Sequence, residues 1–157
     1  MAPISAADAE VALRTFPRRW RALLGSLDTD DPDTAALLDR PGPDGSSALE
    51  CARRAAVALE AADGHVRRTV SADRPTLDPP PRPGGGTLED ALARIDAAAP
   101  ALAGTVAGVA TGDLDRQAEL GGRTLRLRDL IAGVVDDVAG LLRAAEQALH
   151  VARRDPG

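Results

Sequence analysis

The sequence predicts an all-α fold, a four-helix bundle with a long Pro/Gly-rich connection between its second and third helices. Two observations carry that prediction. Val, Ile and Leu recur at helical spacing over four long stretches that open at recognisable caps, and no segment of strand length alternates cleanly between apolar and polar residues. Four amphipathic helices of about 20–27 residues would each span about 30–40 Å at 1.5 Å rise per residue, lengths that suit one another in a bundle.

The first helix is expected from about Ser5 to Leu27. Ser5 followed by Asp8 resembles a capping box, and Pro17 predicts a kink or a fresh start. Phe16 and Trp20 stand four residues apart and share a face, as core aromatics or as a pair that stacks on a ligand. The acidic segment DTDDPDT reads as a loop, with Ala35 to Leu38 forming a short extra turn. The second helix opens at Ser47 with Glu50 as capping partner, and its inner face reads Ala48, Ala52, Ala55, Leu59, Ala62, Val66, Val70. Residues 74–86, RPTLDPPPRPGGG, read as a linker or lid without regular structure. Its glycines are not a phosphate loop, because no Lys-Ser/Thr pair follows them. Thr87 caps the third helix, with Leu88, Leu92, Ile95, Leu102, Val106 and Val109 inward and a kink at Pro100. The segment TGDLDRQAELGGRT reads as a loop. The fourth helix then runs from about Leu125 to Arg153 with an apolar arc of Leu130, Ile131, Val134, Val138, Leu141, Leu142, Ala145 and Leu149.

Composition narrows the function classes. The 157 residues, 44% of them hydrophobic, lead to the expectation of a single domain over residues 1–157. All 19 basic residues are Arg, Lys and Asn are absent, and Ala makes up about a fifth of the chain, a bias that reads as GC-rich codon usage. One Cys allows neither an internal disulfide nor a Cys-rich zinc site. No apolar run approaches the roughly 18 residues of a membrane span, and the opening MAPISAADAE lacks the pattern of a signal peptide. A net charge of −5 with 1% aromatic residues argues against a nucleic-acid surface. A cytoplasmic protein is expected.

Two segments carry a family resemblance. GSSALECARRAAVALEAADGHV resembles the second helix of the DinB-like superfamily, which includes mycothiol- and bacillithiol-dependent S-transferases. GGRTLRLRDLIAGVVDDVAGLL resembles the start of that family's last helix, and the order of elements over residues 11–150 is similar. The resemblance implies a bundle that holds a divalent metal between helices through three His. Carried over by position, those ligands fall on Arg54, Asp137 and Leu141, or in a register one residue earlier on Asp136 and Gly140. The first register is preferred because Leu141 lies in the apolar arc and Asp137 at its edge. Neither register contains a His. His65 lies eleven residues beyond Arg54, about 16 Å along the helix, and His150 lies at the far end of the last helix. A guanidinium repels a metal ion, so no metal and no other cofactor is expected.

Arg54 and Asp137 are instead expected to form an ion pair where the family holds its metal, with Glu50–Arg54 as a competing pair one helical turn apart. Three function classes follow. The first, kept as the main reading, is a metal-free protein that binds a small organic molecule in the bundle; the resemblance implies a thiol-bearing metabolite or a secondary-metabolite intermediate. The second is a metal-independent enzyme of transferase or cyclisation type with Asp137 and Arg54 as catalytic residues. The third is a structural subunit whose helix face meets a second copy or a partner protein. Glu50, Asp136, Trp20 and Leu141 complete the candidate ligand-binding set. Neither nucleic acid nor membrane is expected as a partner. Cys51 is read first as a buried, inert thiol.

Overall fold

A computed structural model describes residues 4–154. Its elements in chain order are α1 (Ala6–Leu24), α2 (Pro32–Asp39), α3 (Ala48–Ser71), β1 (Thr76–Leu77), α4 (Leu88–Ala107), a short 3-10 helix (Thr111–Asp115), β2 (Gln117–Leu120), β3 (Arg123–Arg126) and α5 (Leu127–Arg154). The long helices α1, α3, α4 and α5 form the expected bundle. Both α1 and α3 pack against α4 and α5, so α1 faces α3, and α4 faces α5, across the diagonals.

The helix starts follow from side-chain chemistry. Ser5, Ser47 and Thr87 each accept the N3 backbone N–H, from Asp8, Glu50 and Asp90. Only at Thr87 is the reciprocal half of a capping box present, with the Asp90 carboxylate accepting the Thr87 N–H. Asp31 caps α2, which starts on Pro32 and is longer than the single turn expected. Helices α1 and α4 run through Pro17 and Pro100 without a break.

Small side chains dominate where helices meet. Ala52, Ala55 and Ala56 on α3, Ala99 and Ala103 on α4 and Ala145 and Ala148 on α5 are all fully buried, letting backbones approach closely. Larger groups fill the remaining volume: Phe16, Trp20, Leu59, Leu92, Ile95 and Leu102 are excluded from solvent. Each such aliphatic or Phe side chain contributes about 1.5–3 kcal/mol on burial. Arg21 of α1 reaches across to Glu89 and Asp96 of α4, at 2.7 and 2.6 Å.

One expectation is corrected. Segments 74–86 and 111–124 are not wholly irregular: β1, β2 and β3 form a three-stranded sheet in that order. Strand β1 pairs parallel with β2, and β2 pairs antiparallel with β3 through a tight turn at Gly121 and Gly122, with φ of +60° and +77°. Both turn residues are left-handed, a conformation that glycine adopts without steric cost. The hairpin delays the start of α5 to Leu127. Arg116 fixes it to the bundle, its guanidinium donating to the Thr69 and Ala72 carbonyls at the end of α3.

Candidate functional site

Two adjoining clefts line the groove between α3 and α5. The first, of about 370 Å³, lies between Ala58, Ala61, Ala62 and Val66 of α3 and Leu130, Gly133 and Val134 of α5; Leu120, Arg123 and Leu125 of the hairpin close one end. The second, of about 490 Å³, continues along the groove past Arg54 and Val57 to Gly140, Leu141 and Ala144, with Asp44 on its rim. Ala58, Pro80 and Asp137 border both.

Pro80 belongs to the segment 78–86, which crosses the groove as a strap. Its prolines resist collapse into a helix, and both its ends are tied to α3. His65 Nε2 lies 2.7 Å from the Asp78 carbonyl oxygen, which can only accept, so that nitrogen carries a proton. At the other end the Arg53 guanidinium donates to the Gly86 carbonyl. The linker expected from sequence is thus anchored over the groove between β1 and the Thr87 cap.

Asp137 stands where the two clefts meet. Its carboxylate has no hydrogen bond or ion pair with any described residue, and it reaches solvent. Loss of hydration against the surrounding side chains nevertheless raises its pKa above the ordinary carboxylate value of 3.8, and the neighbouring Asp136 raises it further. Arg54 opposes both effects weakly, so the guanidinium is near without being bonded.

The expected Arg54–Asp137 ion pair is therefore corrected. Arg54 is exposed and donates to Ser46 Oγ at 3.3 Å, and no ion pair joins it to Asp137 or to Glu50 among the described residues. The Ser46 hydroxyl lies close by because the Gly42–Ser46 turn folds back over the start of α3, whereas the carboxylate lies across the open cleft.

The remaining expected site residues divide cleanly. Arg54, Asp136, Asp137 and Leu141 all line the second cleft, which gathers the three positions carried over from the family metal motif. Glu50 lies exposed in the first turn of α3 and lines neither cleft, and Trp20 is buried in the core, its indole N–H without an acceptor among the described residues. The structure also adds His65, Arg123 and Asp129, which line the first cleft and were not among the expected set. Asp129 accepts the Arg126 backbone N–H at 3.4 Å, at the start of α5.

At the three positions that the sequence resemblance assigns to metal ligands, the donor set does not fit a metal ion. It offers one carboxylate, one fixed cation and one aliphatic side chain, whereas such sites use several N, O or S donors. Among the described residues no three of His, Cys, Asp and Glu converge as an ion requires. Among the described residues no helix is long and apolar enough to cross a membrane.

No protein-family model matches this chain, and no curated protein sequence does. Its fold is similar to a solved structure, YfiT from Bacillus subtilis, described as "a probable metal-dependent hydrolase with an unusual four-helix bundle topology". The two superpose with a TM-score of 0.81 over 98% of this chain and 89% of the other, at 12% identity.

Proposed function

We propose that the α3–α5 groove binds a small organic molecule oriented by the Asp137 carboxylate. The observation that supports this reading is an unengaged carboxylate at the junction of a largely apolar cleft and a more polar one, at a position that the sequence resemblance assigns to a metal ligand. Clefts of this size suit a small metabolite, apolar along its body and oriented by a few polar groups. A carboxylate that is partly stripped of water and free of internal partners gains more from a ligand donor than one already paired. The similarity to a protein described as a metal-dependent hydrolase extends to the fold; a metal-dependent reaction at this groove would need donors that Arg54 and Leu141 do not supply.

Elemental analysis combined with native mass spectrometry of the protein isolated from its own cells tests the reading. The expected result is no stoichiometric divalent metal and a bound organic molecule that is lost on Asp137→Asn. Stoichiometric metal that disappears on Asp137→Asn would overturn it.

The same carboxylate is the candidate general base of a metal-independent enzyme, a reading favoured by its raised pKa. Turnover of the bound molecule that is abolished by Asp137→Asn while binding persists would establish that version.

A further inference from the structure

Five arginines surround the hairpin end of the groove, and four of them are engaged. Arg74 pairs with Glu119 at 3.1 Å, Arg116 holds the end of α3, and Arg126 and Arg128 both approach Asp115, at 3.8 and 2.9 Å. The Arg123 guanidinium alone has no hydrogen bond or ion pair with a described residue, and of the five side chains it is the one that lines the first cleft. The nearby carboxylate of Asp129 accepts the Arg126 N–H, which satisfies part of its hydrogen-bonding capacity. The charged side chains of the cleft wall without an ion pair are therefore Arg123 and Asp129 at the hairpin end and Asp137 where the clefts join; of the two carboxylates only Asp137 lacks an internal hydrogen bond. Between Arg123 and Asp137 the lining is apolar: Ala61, Ala62, Val66, Leu125, Leu130 and Val134. The α5 wall runs from Asp129 to Asp137, eight residues or about 12 Å of helix.

We propose that the ligand of this groove is a bifunctional molecule with an anionic group at Arg123, an ammonium group at Asp137 and an apolar spacer between them. This rests on the groove being the binding site. The physical reason is that an unpaired charge facing an apolar cleft is stabilised most by an opposite charge arriving with its own apolar body, which displaces water from both. A guanidinium offers paired donors to a carboxylate or phosphate, and a carboxylate accepts from an ammonium. Ligands with only one charged end leave one of the two side chains unmatched.

The test uses linear ω-amino carboxylates from aminobutyrate to aminododecanoate, with n-alkyl amines and n-alkyl carboxylates of matched length. Binding is followed through the amide resonances of Ala58, Ala62 and Gly133. The expected result is an affinity maximum at the chain length that spans the cleft, about ten-fold tighter than either single-ended analogue. Arg123→Gln should lower that affinity to the level of the alkyl amine, and Asp137→Asn to the level of the alkyl carboxylate. Both side chains are free of internal bonds, so unchanged Trp20 emission verifies that each variant is folded. If Arg123→Gln leaves the maximum untouched while alkyl amines still bind through Asp137, the bifunctional assignment fails and the groove stands as the site. If no member of the series shifts the cleft resonances, the assignment fails together with the binding reading.

Discussion

Gly42, between α2 and α3, packs against Ala148 of α5, and a single methyl group there should loosen the bundle. A Cβ added at Gly42 would lie 2.9 Å from the Ala148 Cβ and 3.0 Å from its Cα, against ordinary contacts of 3.4–4 Å. Ala148 is fully buried and cannot swing aside, so the turn or the helix must move by about half an ångström or more. Overpacking of this kind costs about 1–3 kcal/mol. For a protein of this size that lowers Tm by about 2–4 °C per kcal/mol. Trp20, the one Trp of the chain and fully buried, gives the assay: urea unfolding followed by its emission, for Gly42→Ala, Ala148→Gly and the double variant. Ala148→Gly alone should cost about 1 kcal/mol from helix propensity and lost packing. In the double variant the two costs should fall short of their sum by about 1 kcal/mol or more, because the second change makes the room that the first requires. The same turn carries Asp44 and Ser46, so Gly42→Ala should also shift the resonances of the second cleft. A Gly42→Ala protein as stable as the parent, or strictly additive costs, would refute the close-approach argument.

Further outcomes follow from the other groups. Asp137 is raised in the folded state, so its ionisation opposes folding: its favourable proton binding is complete below 3.8, and the stability it brings is lost as pH rises through the raised value. Asp137→Asn should therefore leave thermal stability at pH 7 equal to or slightly above that of the parent, and carboxyl resonances should show Asp137 titrating above 3.8; a midpoint below it would contradict the account. Burial pushes the Cys51 thiol up to about 11, so it should resist thiol reagents in the folded protein and react at the rate of unfolding. Thr87→Ala removes the hydroxyl that accepts the Asp90 N–H, leaving the Thr87 N–H on the Asp90 carboxylate, and should cost about 1 kcal/mol, measured by urea unfolding, with a similar cost for Ser5→Ala.

Much of the bundle was legible because its signals are local. Ser5, Ser47 and Thr87 announce helix starts through bonds to residues three positions on, and helical periodicity marks faces such as Ala52, Ala55 and Leu59. The sheet was not legible for the opposite reason. Strand β1 is two residues long, and its pairing with β2 joins Thr76 to Glu119, far apart in sequence. Strands β2 and β3 are four residues each and largely polar, though the Gly121–Gly122 pair between them carried a hairpin signal. The site divides along the same line. Arg54, Asp136, Asp137 and Leu141 came from the family resemblance carried over by position along two helices, whereas Arg123 and His65 reach the groove only because the hairpin and the strap fold over it. Proximity proved easier to anticipate than bonding: Arg54 and Asp137 border one cleft, yet the hydroxyl of Ser46 takes the guanidinium.

The central claim is that the α3–α5 groove is a small-molecule site oriented by Asp137. Amide-resolved NMR of the parent protein and of Asp137→Asn, titrated with a library of amine-, carboxylate- and hydroxyl-bearing fragments, tests it most directly. The account predicts that amines dominate the binders, shift Ala58, Ala62, Gly133 and Asp137, and lose affinity by about ten-fold or more in the variant. Binders that gather elsewhere on the molecule, or that bind the groove equally well in Asp137→Asn, would contradict it.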